Sequence, residues 1–246
     1  MTDILFFSGE KGGVGKSFVA RAALQYALDR RIAPLTVFDT DRSNPDVYRI
    51  YIPLVDAKLA IFSEGEKFQD TANGIFTTAA DQRRHVIVNL PAQVHPALKT
   101  WFEYNELLSI AQDEDIRFIF FFVTDGGYDS LKLLTQSLSY FDGRAQHVVV
   151  RNHGITEDFE AFDQDTNLQR LIKKYKTPVL DFPKLIGSVE RNRLDAESIP
   201  FGKALTLDGF NSISRQRIRK FLRESAAMFD QTPLAQLERR KNHDAA

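Results

Sequence analysis

Short apolar runs alternate along the chain with segments whose apolar residues recur every three or four positions. A continuous apolar run predicts a buried strand, and recurrence every three or four positions predicts a helix. The runs predict strands at residues 4–7, 35–38, 85–90, 118–123, 147–150 and 178–180, with helices after most of them. Residues 118–123 are apolar throughout, as expected where helices cover both faces of a parallel sheet. The pattern therefore predicts an α/β fold, with a mostly parallel sheet and helices on both faces.

The final long helical pattern spans about residues 212–229 and combines apolar with basic positions. The apolar residues are Ile213, Ile218, Phe221, Leu222 and Phe229, and the basic ones are Arg215, Arg217, Arg219, Lys220 and Arg223. The apolar spacing predicts packing on the body of the protein, which leaves a basic outer face. That face either contacts DNA phosphates or an acidic partner surface, or it is an ordinary solvated helix face.

Composition narrows the classes of protein that this chain fits. With 246 residues, 43% of them hydrophobic, we expect a single domain over residues 1–231 and a flexible C-terminal tail over 232–246. The formal net charge of −1 excludes an overall basic field, and the absence of cysteine excludes disulfides and thiolate metal sites. No apolar stretch approaches the ~20 residues of a membrane span and no signal peptide is evident, so we expect a cytoplasmic protein without membrane contact.

A glycine-rich segment, KGGVGKS at residues 11–17, follows the first predicted strand and precedes a predicted helix. Its three glycines allow the backbone to turn tightly and to direct N–H groups at a phosphate chain near the helix N-terminus. We expect Lys16 to reach the β- and γ-phosphates and the Ser17 hydroxyl to complete the shell of a Mg²⁺ ion. Strand, loop and helix in this order predict the fold of a P-loop NTPase.

Polar residues lie at the carboxyl ends of the second and third predicted strands, where ligands of open parallel sheets bind. Asp39 and Asp41 lie two positions apart and point the same way if the segment is extended. Either one carboxylate holds metal-bound water while the other orients the attacking water, or the pair forms a helix cap or turn. Asn89 either accepts a hydrogen bond from metal-bound water without adding negative charge, or has no metal role.

The glycine-rich segment departs from the common phosphate-loop pattern because Glu10 stands in place of the first glycine and Lys11 follows it. It resembles the deviant Walker A P-loop ATPases of the ParA/MinD family, whose K-G-G-x-G-K-[ST] loop is matched at every fixed position. The resemblance implies an ATP-dependent sandwich homodimer in which Lys11 crosses the interface to the partner subunit's nucleotide. Lys11 and Lys16 are then both catalytic, because a second cation stabilises the triphosphate when two subunits close.

The same resemblance implies roles for residues outside the loop. Asp41 becomes the water-positioning catalytic residue, and Ser17, Asp39 and Asn89 surround the metal. The sequence departs from the family at two places. Residues 42–45 read RSNP where the family usually has Pro-Gln after the second aspartate. Asn89 stands where the family usually has aspartate, so hydrolysis is expected to be slow. The nucleotide-binding residues implied in this way are Gly12, Gly13, Val14, Gly15, Lys16, Ser17, Phe18, Asn152 and Pro183, the last two for the adenine. For Asn152, a turn or cap role is the alternative.

Three segments narrow the resemblance to the TraL-type proteins of conjugative plasmids: GGVGKSFVA at 12–20, VTDGGYDSL at 123–131 and SRQRI at 214–218. The resemblance implies a slow, Mg²⁺-dependent ATP hydrolase that works as a dimeric switch with a partner or cargo protein. Plasmid partition, conjugative transfer or cargo positioning is the implied setting. Two other functions fit the same scaffold: a non-hydrolysing nucleotide-binding adaptor, and a small-molecule kinase or amide-forming enzyme.

Overall fold

The computed structural model of the protein describes residues 1–9, 11–63 and 66–237. Within them a seven-stranded sheet has the order β3-β2-β4-β1-β5-β6-β7. The strands are β1 Thr2–Ser8, β2 Leu35–Asp39, β3 Asp56–Leu59, β4 His85–Asn89, β5 Ile116–Thr124, β6 Gln146–Asn152 and β7 Val179–Phe182. Every neighbouring pair is parallel. The prediction of an α/β fold on a parallel sheet is therefore confirmed.

Helices connect most of the strands and cover the sheet on both sides. They are α1 Lys16–Asp29, α2 Asp46–Tyr51, α3 Glu66–Ala80, α4 His95–Tyr104, α5 Leu107–Asp113, α6 Tyr128–Phe141, α7 Glu160–Gln164, α8 Thr166–Tyr175, α9 Ser188–Ala196 and α10 Ser212–Phe229, with a 3-10 turn at Lys203–Leu205. None of the helices in the described ranges is long and apolar enough to span a bilayer.

Side-chain alternation in β1 explains why the strands read as continuous apolar runs. Leu5 and Phe7 pack in a core cluster with α1, α2 and α10. Ile4 and Phe6 point to the opposite face and pack with α3, α4 and α5. Because both faces are covered, every position of the strand is buried.

Paired phenylalanines hold β1 against β5. Phe6 stacks on Phe120 and Phe7 stacks on Phe121, each at 4.8 Å between ring centroids. Both pairs are in register across the two strands. Each such pair stabilises the fold by about 1 kcal/mol beyond the burial of its area. The aromatic residues of β5 thus anchor the strand that leads into the glycine-rich loop.

The edge strand β3 is missed by the sequence analysis, which predicts six strands. Its residues read DAKL, and they are half-buried or exposed. At the edge it pairs only with β2, through Thr36 and Asp56 at the start of the register. A short strand with one neighbour has no continuous apolar run, so hydrophobic pattern gives no signal for it.

The helix predicted over residues 212–229 forms with those bounds as α10. Ile218, Phe221 and Phe229 are buried in the core cluster, as expected. The prediction that Ile213 packs on the body is wrong, since 64% of its surface is exposed. Ile213 lies about 140° around the helix from Ile218, at 3.6 residues per turn, and so faces away from the body.

The start of the segment predicted as a flexible tail packs onto the body instead. Leu234 and Leu237 are almost fully buried and join the core cluster of α1 and α10. Thr232 is also buried, and its hydroxyl donates to the Phe229 carbonyl at 2.7 Å. The apolar residues at 234, 235 and 237 therefore extend the core past residue 231. The rest of the predicted tail, 238–246, lies outside the described residues.

Candidate functional site

The glycine-rich loop lies between β1 and α1 at the carboxyl end of the sheet. Gly13 and Gly15 adopt positive φ angles of 82° and 90°, in the left-handed region that strains any residue with a Cβ atom. A Cβ atom at Gly9 would lie 2.6 Å from the Val123 carbonyl oxygen, which belongs to β5. Conformation and close approach to β5 thus both require glycine in this segment.

Asn152 ties the loop to the end of β6. Its Nδ2 donates to the Val14 carbonyl at 2.8 Å, and its Oδ1 accepts from the Gly154 N–H at 2.9 Å. A Cβ atom at Gly15 would lie 2.3 Å from the Asn152 Nδ2, so the contact also requires glycine at position 15. The structure therefore gives Asn152 a loop-holding role. Its predicted contact with adenine remains a prediction, because an amide oxygen can accept a second hydrogen bond.

A cavity of about 300 Å³ opens over the loop and the first turn of α1. The loop and helix α1 residues that line it are Gly12, Gly13, Gly15, Lys16, Ser17, Phe18 and Arg21. Lys16 is 92% buried by its neighbours, with 8% of its surface exposed, and its Nζ lies 3.4 Å from the Lys11 carbonyl oxygen. Val14 is fully buried, so only its backbone can face a ligand. Glycine backbone, a lysine ammonium and a helix N-terminus together form an anion site.

A second cavity of about 280 Å³ adjoins the first. Asn152 and Pro183, both predicted to contact the base, line it together with Ile155, Phe182 and Leu185. Its walls are thus apolar with a few polar groups, which suits a planar heterocycle. The two cavities share Gly15, Phe18 and Asp195 as lining residues. They therefore form one groove across the carboxyl edge of the sheet.

Asp39 is buried, and backbone amides occupy its carboxylate. Oδ2 accepts from the N–H groups of Val47 and Tyr48 at 2.9 and 3.0 Å, at the start of α2. Oδ1 accepts from the Asp41 N–H at 3.2 Å and from the Asn89 Nδ2 at 3.0 Å. Burial raises the pKa of Asp39, and these hydrogen bonds oppose the rise. The carboxylate thus holds α2 in place, and its predicted role as an outer metal partner stays a prediction.

Asn89 links Asp39 to the loop serine. Its Nδ2 also lies 3.3 Å from the Ser17 Oγ, which accepts the hydrogen bond. Its Oδ1 is buried and finds no hydrogen-bond partner among the described residues. An unpaired buried carbonyl costs about 1–3 kcal/mol, unless water or a ligand fills the place beside it. A Mg²⁺ ion that keeps its waters and binds the Ser17 hydroxyl would supply a water donor there, so these residues fit the ion.

Exchanging Asn89 for aspartate is expected to destabilise the protein by about 3 kcal/mol at neutral pH, because two buried carboxylates would then lie in contact. The Asn89 Nδ2 that lies 3.0 Å from the Asp39 Oδ1 would become an oxygen. Sharing a proton relieves such a pair, so the deficit should shrink as the pH falls from 7.5 towards 4.5. Urea unfolding of Asn89→Asp at both pH values, without nucleotide, measures it. Asn89→Leu serves as the uncharged control, and equal stability of Asn89→Asp and the unaltered protein at pH 7.5 would contradict the expectation.

Asp41 both folds the following segment and faces the loop cavity. Its Oδ1 accepts from the Ser43 N–H at 3.1 Å, from the Ser43 Oγ at 2.8 Å and from the Asn44 N–H at 3.2 Å. Asp41 and Asp46 line the cavity of about 300 Å³. The turn that the sequence analysis gives as the alternative is therefore present. Its role in orienting the attacking water remains a prediction.

Lys11 forms an ion pair with Asp125 of its own chain. The Nζ lies 2.7 Å from the Asp125 Oδ2, and 42% of the lysine side chain is exposed. The hydrogen bond to Asp125 raises the pKa of Lys11. Burial on its own would raise the pKa of Asp125, but the hydrogen bond from Lys11 holds that pKa below its usual value. Lys11 is thus held in place within one chain, and it must leave Asp125 to reach a second one.

Two charged residues that line the groove, Arg21 and Asp195, are not among the residues predicted from the sequence, and neither is Asp125, the ion-pair partner of Lys11. Arg21 lies one helical turn after Ser17, so helical spacing could have placed it on the same face of α1. Asp125 lies two positions after the strand predicted at 118–123, close to where ligand-facing residues are expected. Asp195 comes from α9, far along the chain, and nothing in the local sequence indicates it.

Ion pairs reduce the basic face predicted for α10. Arg217 pairs with Glu190 at 3.0 Å, and Lys220 pairs with Glu224 at 3.7 Å. Arg219 and Arg223 are exposed and stand four positions apart on the helix.

In the described ranges no cluster of three or more His, Cys, Asp or Glu side chains could hold a metal ion alone. A metal at the groove would therefore depend on ligand oxygens.

Comparison with known proteins gives distant relatives. No protein-family model matches the chain. Protein MobD of Acidithiobacillus ferrooxidans is 26% identical over 187 residues, which are 76% of this chain and 79% of MobD. Protein TraL of Escherichia coli is 25% identical over 219 residues, which are 85% of this chain and 89% of TraL. Among solved structures, the MinD cell division protein of Aquifex aeolicus is 15% identical with a TM-score of 0.47, covering 91% of this chain and 95% of MinD.

The glycine-rich loop matches the K-G-G-x-G-K-[ST] pattern of ParA/MinD-type proteins at every fixed position. The similarity to TraL agrees with the TraL-type resemblance of the three segments at 12–20, 123–131 and 214–218. Both named relatives match over more than two thirds of their own length.

Proposed function

We propose that this chain is a ParA/MinD-like ATPase that binds Mg²⁺ and ATP at residues 11–17 and works as an ATP-dependent dimeric switch. The observation that carries the proposal is the continuous groove over the loop. One end has glycine backbone, Lys16 and the N-terminus of α1, as a triphosphate requires. The other end has apolar walls with Asn152 and Pro183, as a base requires.

In this proposal the chain's own residues hold the nucleotide. The loop N–H groups and the Lys16 ammonium bind the phosphates, and the Ser17 hydroxyl and the Asn89 amide oxygen face the metal and its waters. A Mg²⁺ ion held at this place would neutralise part of the negative charge of the phosphates. Asp41 orients the attacking water from the rim of the cavity. The neutral Asn89 adds no charge beside the metal, so turnover is slow.

Dimerisation depends on Lys11 in this proposal. A second copy that closes over the groove brings another triphosphate near Lys11, and the ammonium exchanges its Asp125 partner for phosphate oxygens. The partly exposed ion pair is weak enough for such an exchange, because surface pairs contribute about 0–1 kcal/mol. Binding of ATP is thereby linked to assembly, and hydrolysis releases the two copies.

The cellular setting follows from resemblance. The TraL-type segments and the similarity to TraL support a role in conjugative transfer, plasmid partition or cargo positioning, with a partner or cargo protein bound to the closed dimer. Arg219 and Arg223 of α10 are the exposed cations with which the dimer would bind DNA non-specifically. Two such helices in one dimer would double the number of phosphate contacts.

Mass measurement in solution with Mg²⁺ and ATP, with ADP, or without nucleotide tests the switch. We expect the mass of a dimer with ATP and the mass of a monomer in the other two conditions. Phosphate release should accompany the dimer at a rate below the ~1 s⁻¹ that marks the slow end of typical enzymes. A monomer in all three conditions, or a dimer in all three, would rule the switch out.

One observation favours a second function, a nucleotide-binding adaptor that does not hydrolyse ATP. Asn89 is uncharged, and the Asp39 carboxylate is occupied by the backbone of α2 and by Asn89. Asn89 then adds no charge beside the metal, and the oxygens of Asp39 are already engaged by other donors. Tight ATP binding with ATP-dependent dimers, but no phosphate release above the rate without protein, would favour the adaptor over the ATPase.

A further inference from the structure

A buried arginine lies at the wall of the loop cavity. Arg21 of α1 has 3% of its surface exposed, and its Nη1 donates to the Asp195 Oδ1 at 2.5 Å. Its Nε and Nη2 are buried without a hydrogen-bond partner in the part of the chain that the structure describes. The guanidinium lies 4.9 Å from the ring centroid of Phe201 and 5.5 Å from that of Phe18. Two aromatic rings and one carboxylate thus fix its position.

The buried arginine lowers the stability of the fold compared with an apolar side chain at the same position. Two of its donor atoms are left without hydrogen bonds, and buried charges are expensive unless fully paired. An apolar side chain of similar volume would pack against Phe18 and Phe201 without that penalty. Arg21 is therefore better explained by what it does to Asp195 than by packing.

Asp195, in contrast, is open to the groove. Its side chain is 55% exposed and lines both cavities, together with Gly15 and Phe18. Of these shared lining residues, only Asp195 has a charged side chain. Arg21 engages one carboxylate oxygen, which leaves the Oδ2 for a donor in the groove. The junction of the two cavities thus presents a hydrogen-bond acceptor in a fixed position.

The connectivity of a nucleotide decides what lies at this junction. Suppose that the phosphates occupy the loop cavity and the base occupies the apolar cavity. The sugar that joins them must then lie beside the residues that line both cavities. Ribose has hydroxyl groups at its 2′ and 3′ carbons, and each can donate to a carboxylate. An acidic side chain near a triphosphate would otherwise be repelled, and the positive charge of Arg21 offsets that repulsion.

We propose that Asp195 accepts a hydrogen bond from a ribose hydroxyl of the bound nucleotide and that Arg21 holds it there, so that the site selects ribonucleotides over deoxyribonucleotides. The inference rests on the proposed nucleotide site and extends it to the sugar. Asp195 is the residue that contacts the ligand. Arg21 is a positioning residue that acts through Asp195.

Titration calorimetry with ATP, 2′-deoxy-ATP and 3′-deoxy-ATP in Mg²⁺ tests the proposal. Removing a donor from a charged hydrogen bond is expected to weaken binding of at least one analogue about tenfold or more relative to ATP. Asp195→Ala should weaken ATP to the level of that analogue and abolish the difference between them. Glu197→Ala, two positions along the chain and outside both cavities, is the matched control and should keep the difference.

Arg21 is tested through the same ratio rather than through affinity alone. Arg21→Gln removes the charge and should reduce the ATP to deoxy-ATP ratio, whereas Arg21→Lys should restore part of it. A merely structural role would lower stability and leave the ratio unchanged. Thermal unfolding of each variant identifies any that fails to fold, and Asp195→Ala then decides the question alone because its side chain is exposed.

The outcomes separate this inference from the proposed function. Equal affinity of the unaltered protein for ATP and both analogues, or discrimination that persists in Asp195→Ala, overturns the sugar contact and leaves the nucleotide site standing. Absence of ATP binding by the unaltered protein overturns both.

Discussion

Replacement of Lys16 by alanine is expected to weaken binding of ATP with Mg²⁺ by about 100-fold or more and to abolish phosphate release. Lys16 has only 8% of its surface exposed and lines the cavity over the loop, so its ammonium acts on a ligand with little screening by water. A charge-assisted hydrogen bond in such surroundings contributes about 3 kcal/mol, which corresponds to the expected factor.

Titration calorimetry of Lys16→Ala with ATP and Mg²⁺ provides the measurement, with thermal unfolding as the check on folding. Lys173→Ala on α8 is the control, since this lysine lies outside both cavities. Affinity of Lys16→Ala within about threefold of that of the unaltered protein would be incompatible with a phosphate chain at the loop.

Replacement of Lys11 by alanine is expected to abolish the ATP-dependent dimer while the monomer still binds ATP. In the single chain Lys11 contacts Asp125, and its side chain is 42% exposed, so loss of this ion pair should change stability by at most about 1 kcal/mol. In a symmetric dimer each lysine would meet the other subunit's phosphates, and two lost charge-assisted contacts weaken assembly by about 100-fold or more. Only the assembled state should therefore be affected.

Mass measurement of Lys11→Ala with ATP and Mg²⁺ tests this, together with calorimetry to show that ATP still binds. Asp125→Asn is the matched variant, because it releases Lys11 from its own chain without removing the cation. We expect Asp125→Asn to dimerise with ATP at least as readily as the unaltered protein. Dimers of Lys11→Ala that form at the same protein concentration as those of the unaltered protein would refute the role of Lys11 across the interface.

The glycine-rich loop and most strands could be predicted because their causes are local in sequence. Gly13 and Gly15 occupy left-handed backbone conformations that glycine adopts most easily, and the residue type itself signals the turn. Both faces of β1 and β5 are covered, so their residues form unbroken apolar runs. The edge strand β3 has one neighbour and exposed side chains, and so leaves no such run.

Roles within the groove could be predicted only in part. The sequence places Asp39 and Asn89 at the ends of two predicted strands. It does not indicate that Oδ2 of Asp39 accepts from the α2 backbone, or that Oδ1 accepts from the Asp41 N–H. It likewise indicates Asn152 at a strand end, but not that its amide holds the Val14 carbonyl. In each case a backbone group from another segment forms a hydrogen bond with the side chain. Every residue carries the same backbone groups, so the sequence does not indicate which of them will form such a bond.

The sequence by itself determined the parallel sheet, the glycine-rich loop and the long final helix, because periodicity and glycine placement act over a few neighbouring residues. Only the tertiary structure decided which charges meet. Lys11 finds Asp125 across 114 positions and Arg21 finds Asp195 across 174. Such pairs form where the sheet brings the ends of distant strands and helices to one edge. The order of the strands in the sheet differs from their order along the chain, so the sequence does not indicate which ends meet.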